Sequence, residues 1–137
     1  MKYVCLVYSD EEAIRVISDD ECIAFSEQIS DTGNRLGGQA LQPIATATTV
    51  RVRGGDVLIT DGPFAETKEQ LTGFYFIEAR DLNEAIRIAS RIPPARVGSI
   101  EVRPIRELRP SAGATSGSTE TTRNLGHENP VASNSNN

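Results

Sequence analysis

At 137 residues, a net charge of −5 and 38% hydrophobic residues, the chain has room for one domain and at most an appendage. Eight acids stand between Asp10 and Asp31 against one base, Arg15, and such a segment is not the basic face that a nucleic-acid backbone requires. No run approaches the ~18 apolar residues of a membrane span, and two cysteines with no secretory signal before them make no disulfide framework, so a cytoplasmic protein is expected.

Taken in order, residues 2–8 read as a strand that is apolar on both faces. Tyr3, Cys5 and Val7 lie on one face, Val4, Leu6 and Tyr8 on the other, and a strand of this kind needs cover on both sides. Residues 9–17 form an acidic connector. Ser18 and Glu21 then make a capping box that opens a helix. Cys22, Phe25 and Ile29 recur at three- and four-residue spacing as its buried stripe, and Gly33 followed by Gly37-Gly38 predicts its end near Leu36.

Residues 39–44 suggest a short strand. Residues 46–53 alternate cleanly, Gly54-Gly55 signals a hairpin, and residues 57–60 return as the partner strand. A turn containing Gly62-Pro63 follows. Residues 71–79 are the longest strand, with Phe74 and Phe76 on one face and Tyr75 and Ile77 on the other. Asp81 and Glu84 form a second capping box for a helix to about Ile92, with Leu82, Ala85, Ile86 and Ala89 buried, and Pro93-Pro94 stops it. Residues 99–105 are the last strand, Ile100 and Val102 pointing inward.

From residue 109 onward Ser, Thr, Asn and Gly dominate and periodicity vanishes, which predicts a disordered tail that contains the one histidine, His127. The element order predicts a domain over residues 1–108 of the ferredoxin-like α+β class, an antiparallel sheet with two helices on one face. The helices cover one face only. A second copy of the chain, packed sheet to sheet, is the simplest cover for the other, so a homodimer is expected.

The stretch Asp61-Gly62-Pro63-Phe64-Ala65-Glu66-Thr67-Lys68-Glu69 resembles the YCII-related family in its DGPF-type branch. Three further blocks support the resemblance in order: the opening strand to Tyr8, Thr46 to Arg51, and Gly98 to Pro104. The resemblance spans about residues 1–106 and implies a dimeric α+β barrel. It implies little about reaction. Some members of the branch accompany sigma-factor-like regulators, and the YCII branch includes small-molecule enzymes that use a His–Asp pair, in one case for a dehydrochlorination. This chain departs from that pattern, because residues 1–126 contain no histidine.

Candidate residues gather at the Asp61 turn. Asp61, at a strand end before Gly62-Pro63, can serve as a general base or can simply accept hydrogen bonds from its own turn amides. Glu66 can act as an acid or base and Lys68 can neutralise an anionic substrate, or both can be solvated loop charges; Glu69 reads as surface. Phe64 can wall off water. Tyr8, Arg51, Tyr75 and Arg103 can line a pocket between sheet and loop, or the arginines can pair with Glu78 and Glu101. Neither a Gly-rich phosphate loop nor Cys/His metal spacing occurs, so no cofactor and no metal are implied. The readings are a cofactor-independent acid–base enzyme with its pocket near this loop, a non-catalytic dimeric ligand-binding or regulatory module, and a structural accessory dimer.

Overall fold

The computed structural model describes residues 1–111, in the order β1 (Lys2–Ser9), α1 (Asp19–Asp31), β2 (Arg35–Ala40), β3 (Thr48–Arg53), β4 (Asp56–Asp61), β5 (Gln70–Glu78), α2 (Leu82–Ala89) and β6 (Ser99–Pro104). Single 3-10 turns occupy Ala13–Val16, Ile44–Thr46 and Pro93–Arg96. Met1–Ile105 forms one compact unit, and of the chain after it only residues 106–111 are described. Those six residues have neither helix nor strand, and Arg109 pairs with Glu107 at 3.4 Å. Most of the expected tail, and His127 with it, lies outside the described residues.

Four strands form one sheet in the order β2-β5-β1-β6, every neighbouring pair antiparallel. This is the ferredoxin-like α+β arrangement expected from the element order: each strand–helix–strand unit leaves a gap that a strand of the other unit fills. The hairpin β3–β4 stands apart as a two-stranded sheet.

One face of the four-stranded sheet carries the core. Tyr3, Cys5 and Val7 of β1 and Ile77 of β5 are buried against Phe25 and Ile29 of α1 and Ala85, Ile88 and Ala89 of α2, with Ile100 and Val102 of β6 packed alongside. Burying side chains of this size contributes roughly 1.5–3 kcal/mol each for the larger ones. The register puts Val4 opposite Phe76, Leu6 opposite Phe74 and Tyr8 opposite Leu71 on the other face. Helices leave that face uncovered, so Phe76 and Leu71 remain exposed and Val4, Leu6 and Tyr8 half-buried.

Both predicted N-caps form, but neither box closes reciprocally among the described residues, since the Glu21 carboxylate takes Arg96 instead and that of Glu84 reaches one residue past the cap. Ser18 accepts from the Glu21 amide at 3.1 Å, Asp81 accepts from the Glu84 amide at 2.9 Å, and the Glu84 carboxylate reaches back to the Arg80 amide at 2.7 Å. Three boundaries differ from expectation by three residues or more. Helix α1 stops at Asp31 rather than near Leu36, because Gly33 at φ 78° lets its own amide reach Ser30 O at 3.0 Å and the Asn34 amide reach Ile29 O at 2.8 Å. The second strand runs over Arg35–Ala40 instead of residues 39–44. Gly38 permits this, since a Cβ there would strike Phe74 O and the Tyr75 backbone of β5. Finally, α2 ends at Ala89, and its buried stripe is Ala85, Ile88 and Ala89, while Leu82 and Ile86 are half exposed. The helix is apolar at so many positions that spacing alone leaves its rotation open.

Candidate functional site

A cavity of about 950 Å³ lies on the helix side of the sheet, between α1, the edge strand β2 and the 3-10 turn at Ala13–Val16. Local chemistry holds its walls. The Asp10 carboxylate accepts from the Glu12 amide at 2.8 Å, which starts the turn. Glu11 then accepts from the Ile44 amide at 2.7 Å and ties that turn to the chain leaving β2. From the α1 side come Cys22, Ile23 and Ser26, and from the β2 edge Arg35, Gly38 and Leu41.

Tyr75 of β5 stands on the sheet wall of the cavity, its ring edge-on to Phe25 with centroids 5.4 Å apart. Burial pushes the Tyr75 hydroxyl above its ordinary pKa, partly offset by the Ser26 side chain beside it and by the charge of Arg35. The Tyr75 hydroxyl is therefore a proton donor throughout the neutral range. Burial likewise raises the Cys22 thiol, and Asp19 and Glu21 add to the effect, so Cys22 is a thiol rather than a thiolate on the opposite wall.

The residues singled out from sequence fall into three places. Tyr75 lines the cavity. Tyr8 sits on the opposite face of the sheet, since the register pairs it with Leu71 and not with the inward residues. Asp61, Phe64, Glu66 and Lys68 lie on the far end of the hairpin and the loop after it, all exposed apart from half-buried neighbours at Gly62 and Pro63. None of these four lines the cavity. Arg51 joins Phe64 there, its guanidinium 5.5 Å from the ring centroid. The structure thus brings Arg51 and Phe64 together, and of the four pocket candidates Tyr8, Arg51, Tyr75 and Arg103 only Tyr75 lines the cavity.

The loop after β4 is held by its backbone rather than by the Asp61 carboxylate. The Gly62 amide donates to Ala47 O at 2.8 Å, and Thr49 Oγ1 donates to Gly62 O at 2.9 Å. Gln70, nearly buried, donates from Nε2 to Ala65 O at 2.8 Å and to Thr67 O at 3.0 Å. The Asp61 carboxylate has no hydrogen-bond partner among the described residues. Arg103 pairs with Glu101 at 3.8 Å, as one reading of the sequence anticipates, whereas Glu78 pairs with the N-terminal amine.

Sequence reasoning missed Arg35, Ser26 and Cys22 as cavity residues. Arg35 falls inside the helix that the sequence predicts to run to about Leu36, whereas in the structure it opens β2, with a register shift against β5 between Arg35 and Gly37. A helical wheel of α1 puts Cys22 and Ser26 on one stripe at i and i+4, and that spacing was the available signal. Among the described residues, no group of three or more His, Cys, Asp or Glu converges to hold a metal ion. No helix among them is long and apolar enough to cross a membrane.

Comparison with known proteins completes this picture. An uncharacterized protein of Rhizobium meliloti (strain 1021) is 38% identical over 119 residues, which cover 80% of this chain and 96% of that one. The solved structure of 5-chloro-2-hydroxyhydroquinone dehydrochlorinase (TftG) from Burkholderia phenoliruptrix AC1100, in complex with 2,5-dihydroxybenzoquinone, superposes with a TM-score of 0.49 at 13% identity, covering 79% of this chain and 96% of that chain. The model of the YCII-related domain matches residues 1–109, and the chain belongs to that family.

Proposed function

We propose that the protein is a small-molecule-binding member of the YCII-related family, of the DGPF type by its residues 61–69, and that it works as a homodimer. The ligand occupies the cavity between α1 and the β2 edge. The observation that carries this reading is the cavity itself: about 950 Å³, within the size range of pockets that enclose small organic ligands, with an apolar wall and a few convergent polar groups. Asp61 and Glu66, the acid–base candidates of the sequence, stand outside its lining, which favours binding over acid–base turnover by those two residues.

Support for the homodimer comes from the uncovered apolar sheet face formed by Val4, Leu6, Tyr8, Phe74 and Phe76, and from the exposed hairpin residues Val50, Val52, Val57 and Ile59. A sheet-to-sheet association would bury an area in the obligate range, roughly 2,000 Å² or more. The cavity lies on the other side of the sheet and stays open in such a dimer.

The test is native mass spectrometry on the purified full chain, with denatured extracts analysed for small molecules. The expected result is a particle of twice the chain mass carrying a small organic adduct whose occupancy falls in Ile23→Trp, which narrows the cavity at its α1 wall. A folded Ile23→Trp protein that retains the adduct in full would place the ligand elsewhere, and a monomer at micromolar concentration would end the dimer reading.

A further inference from the structure

Resting on the cavity reading above, we infer that the ligand is a small organic monocarboxylate whose carboxylate pairs with Arg35 and whose apolar body lies along Ile14, Ile23 and Leu41. The reasoning begins at Arg35, half-buried at the start of β2 and part of the cavity lining. Its Nη2 donates to Gly38 O at 3.4 Å, a long contact, and its Nε is shut off from solvent with no acceptor among the described residues. No carboxylate stands within ion-pair distance of it among those residues; the same holds for Arg51, Arg53, Arg87, Arg91 and Arg106, but none of those lines the cavity. The Nε is closed to a cavity ligand as it is to water, so a carboxylate there meets the terminal Nη groups, and a half-buried cation without a counter-charge favours such a partner. Arginine is the side chain whose planar fork fits the two oxygens of a carboxylate.

Other charges around the cavity restrict the anion further. Glu11, Asp19, Glu27 and Asp31 also line it and are exposed at its rim, as is Arg15. Glu11 is occupied by the Ile44 amide. With Arg15 at the rim paired to Glu12, the four rim carboxylates around half-buried Arg35 disfavour a phosphate dianion more than a monoanion, because each added negative charge meets the same repulsion again. Tyr75, a neutral hydroxyl on the same inner wall, supplies a second donor for the bound anion.

The experiment uses the full chain, with benzoate and hexanoate set against their neutral amides, benzamide and hexanamide, and against inorganic phosphate. Amide resonances of Gly38, Gly73 and Cys22 report occupancy of the cavity in a nitrogen–proton spectrum. Each carboxylate is expected to bind at least tenfold tighter than its amide, phosphate not to bind, and Arg35→Met to equalise acid and amide while Arg35→Lys keeps part of the preference. Acids and amides that bind the wild type equally would overturn the carboxylate assignment and leave the cavity reading standing. Probes that move none of the three amides would overturn both. Phosphate binding as tight as benzoate would overturn the monoanion claim. If Arg35→Met fails to fold, the acid-against-amide contrast in the wild type decides alone.

Discussion

The two sides of the molecule spend their apolar residues differently. On the helix side, Cys5, Ile29 and Ile77 have no solvent exposure at all and form a core with α1 and α2. In the hairpin, Val50, Val52, Val57 and Ile59 share one face and each is at least 60% exposed. Register explains the sharing: Val50 pairs with Ile59 and Val52 with Val57, while Arg51 and Leu58 point the other way. A two-stranded ribbon has no second layer of its own and is marginal in water by itself. A buried stripe is therefore explained within the chain, whereas the hairpin stripe makes sense only against another surface. This is why we read the first as the frame of the ligand cavity and the second as part of the homodimer.

The largest expected effect contrasts these two stripes directly. Ile77→Ala removes a fully buried side chain and should cost about 2–5 kcal/mol in urea unfolding. Ile59→Ala should cost less than about 0.5 kcal/mol in a monomer, because the side chain is mostly in water. If the hairpin packs on a second copy, Ile59→Ala instead weakens association, and its cost grows with protein concentration. Equal, concentration-independent costs for the two variants would break the comparison.

Next in size is Gly98→Ala, just before β6. A Cβ at Gly98 would overlap the Tyr8 carbonyl oxygen and press on Ser9, both at the end of the central strand β1. Backbone cannot swing aside as a side chain can, so about 3 kcal/mol of destabilisation is expected, read as a fall in denaturation midpoint. A neutral result would mean that the β1–β6 end is looser than its register implies.

Much of this frame was legible from the chain, and the reasons are local. Ser18 with Glu21 and Asp81 with Glu84 announce helix starts because the cap is a contact between near neighbours in sequence. The two-faced strand β1 and the Gly54-Gly55 hairpin are likewise visible in a short window. Strand β2 was misplaced because its path depends on a close approach to β5, some 35 residues away, which no local pattern encodes. The candidate site was the least legible part. The densest polar cluster in the sequence lies at Asp61, while the cavity is assembled from single residues of α1, β2 and β5, each ordinary in its own segment.

A third prediction concerns alkaline pH and again separates the buried side from the exposed one. Burial pushes the Cys5 thiol up to about 11 from an ordinary 9.0. A group whose pKa is raised by folding contributes stability that is complete below the unfolded value and lost as pH climbs through the folded one. Stability should therefore fall between about pH 9 and 11, by at most about 1.4 kcal/mol per pH unit from Cys5. Tyr75 and Cys22 shift in the same direction and extend the slope. Cys5→Ala should be less stable at pH 7 yet show a shallower decline above pH 9, measured by urea midpoints across the range. An unchanged slope would mean that Cys5 is not the group that titrates.

The smallest expected effect belongs to Asp61, the residue on which the two readings of the chain diverge. Its strand β4 is exposed throughout, its carboxylate has no partner among the described residues, and the turn behind it is held by Gly62, Thr49 and Gln70. Asp61→Asn keeps the shape and removes a charge that touches nothing, so unfolding free energy should move by less than about 0.5 kcal/mol. Ligand binding in the cavity should not move either, since Asp61 is absent from the cavity wall. Both quantities are read from one variant, by urea denaturation and by titration with benzoate. A loss of about 1–3 kcal/mol would mean that turn amides do bond the carboxylate in solution. Unchanged stability with abolished binding would be more informative. It would mean that the loop at residues 61–69 belongs to the site after all, brought to the ligand by an association other than the sheet-to-sheet dimer.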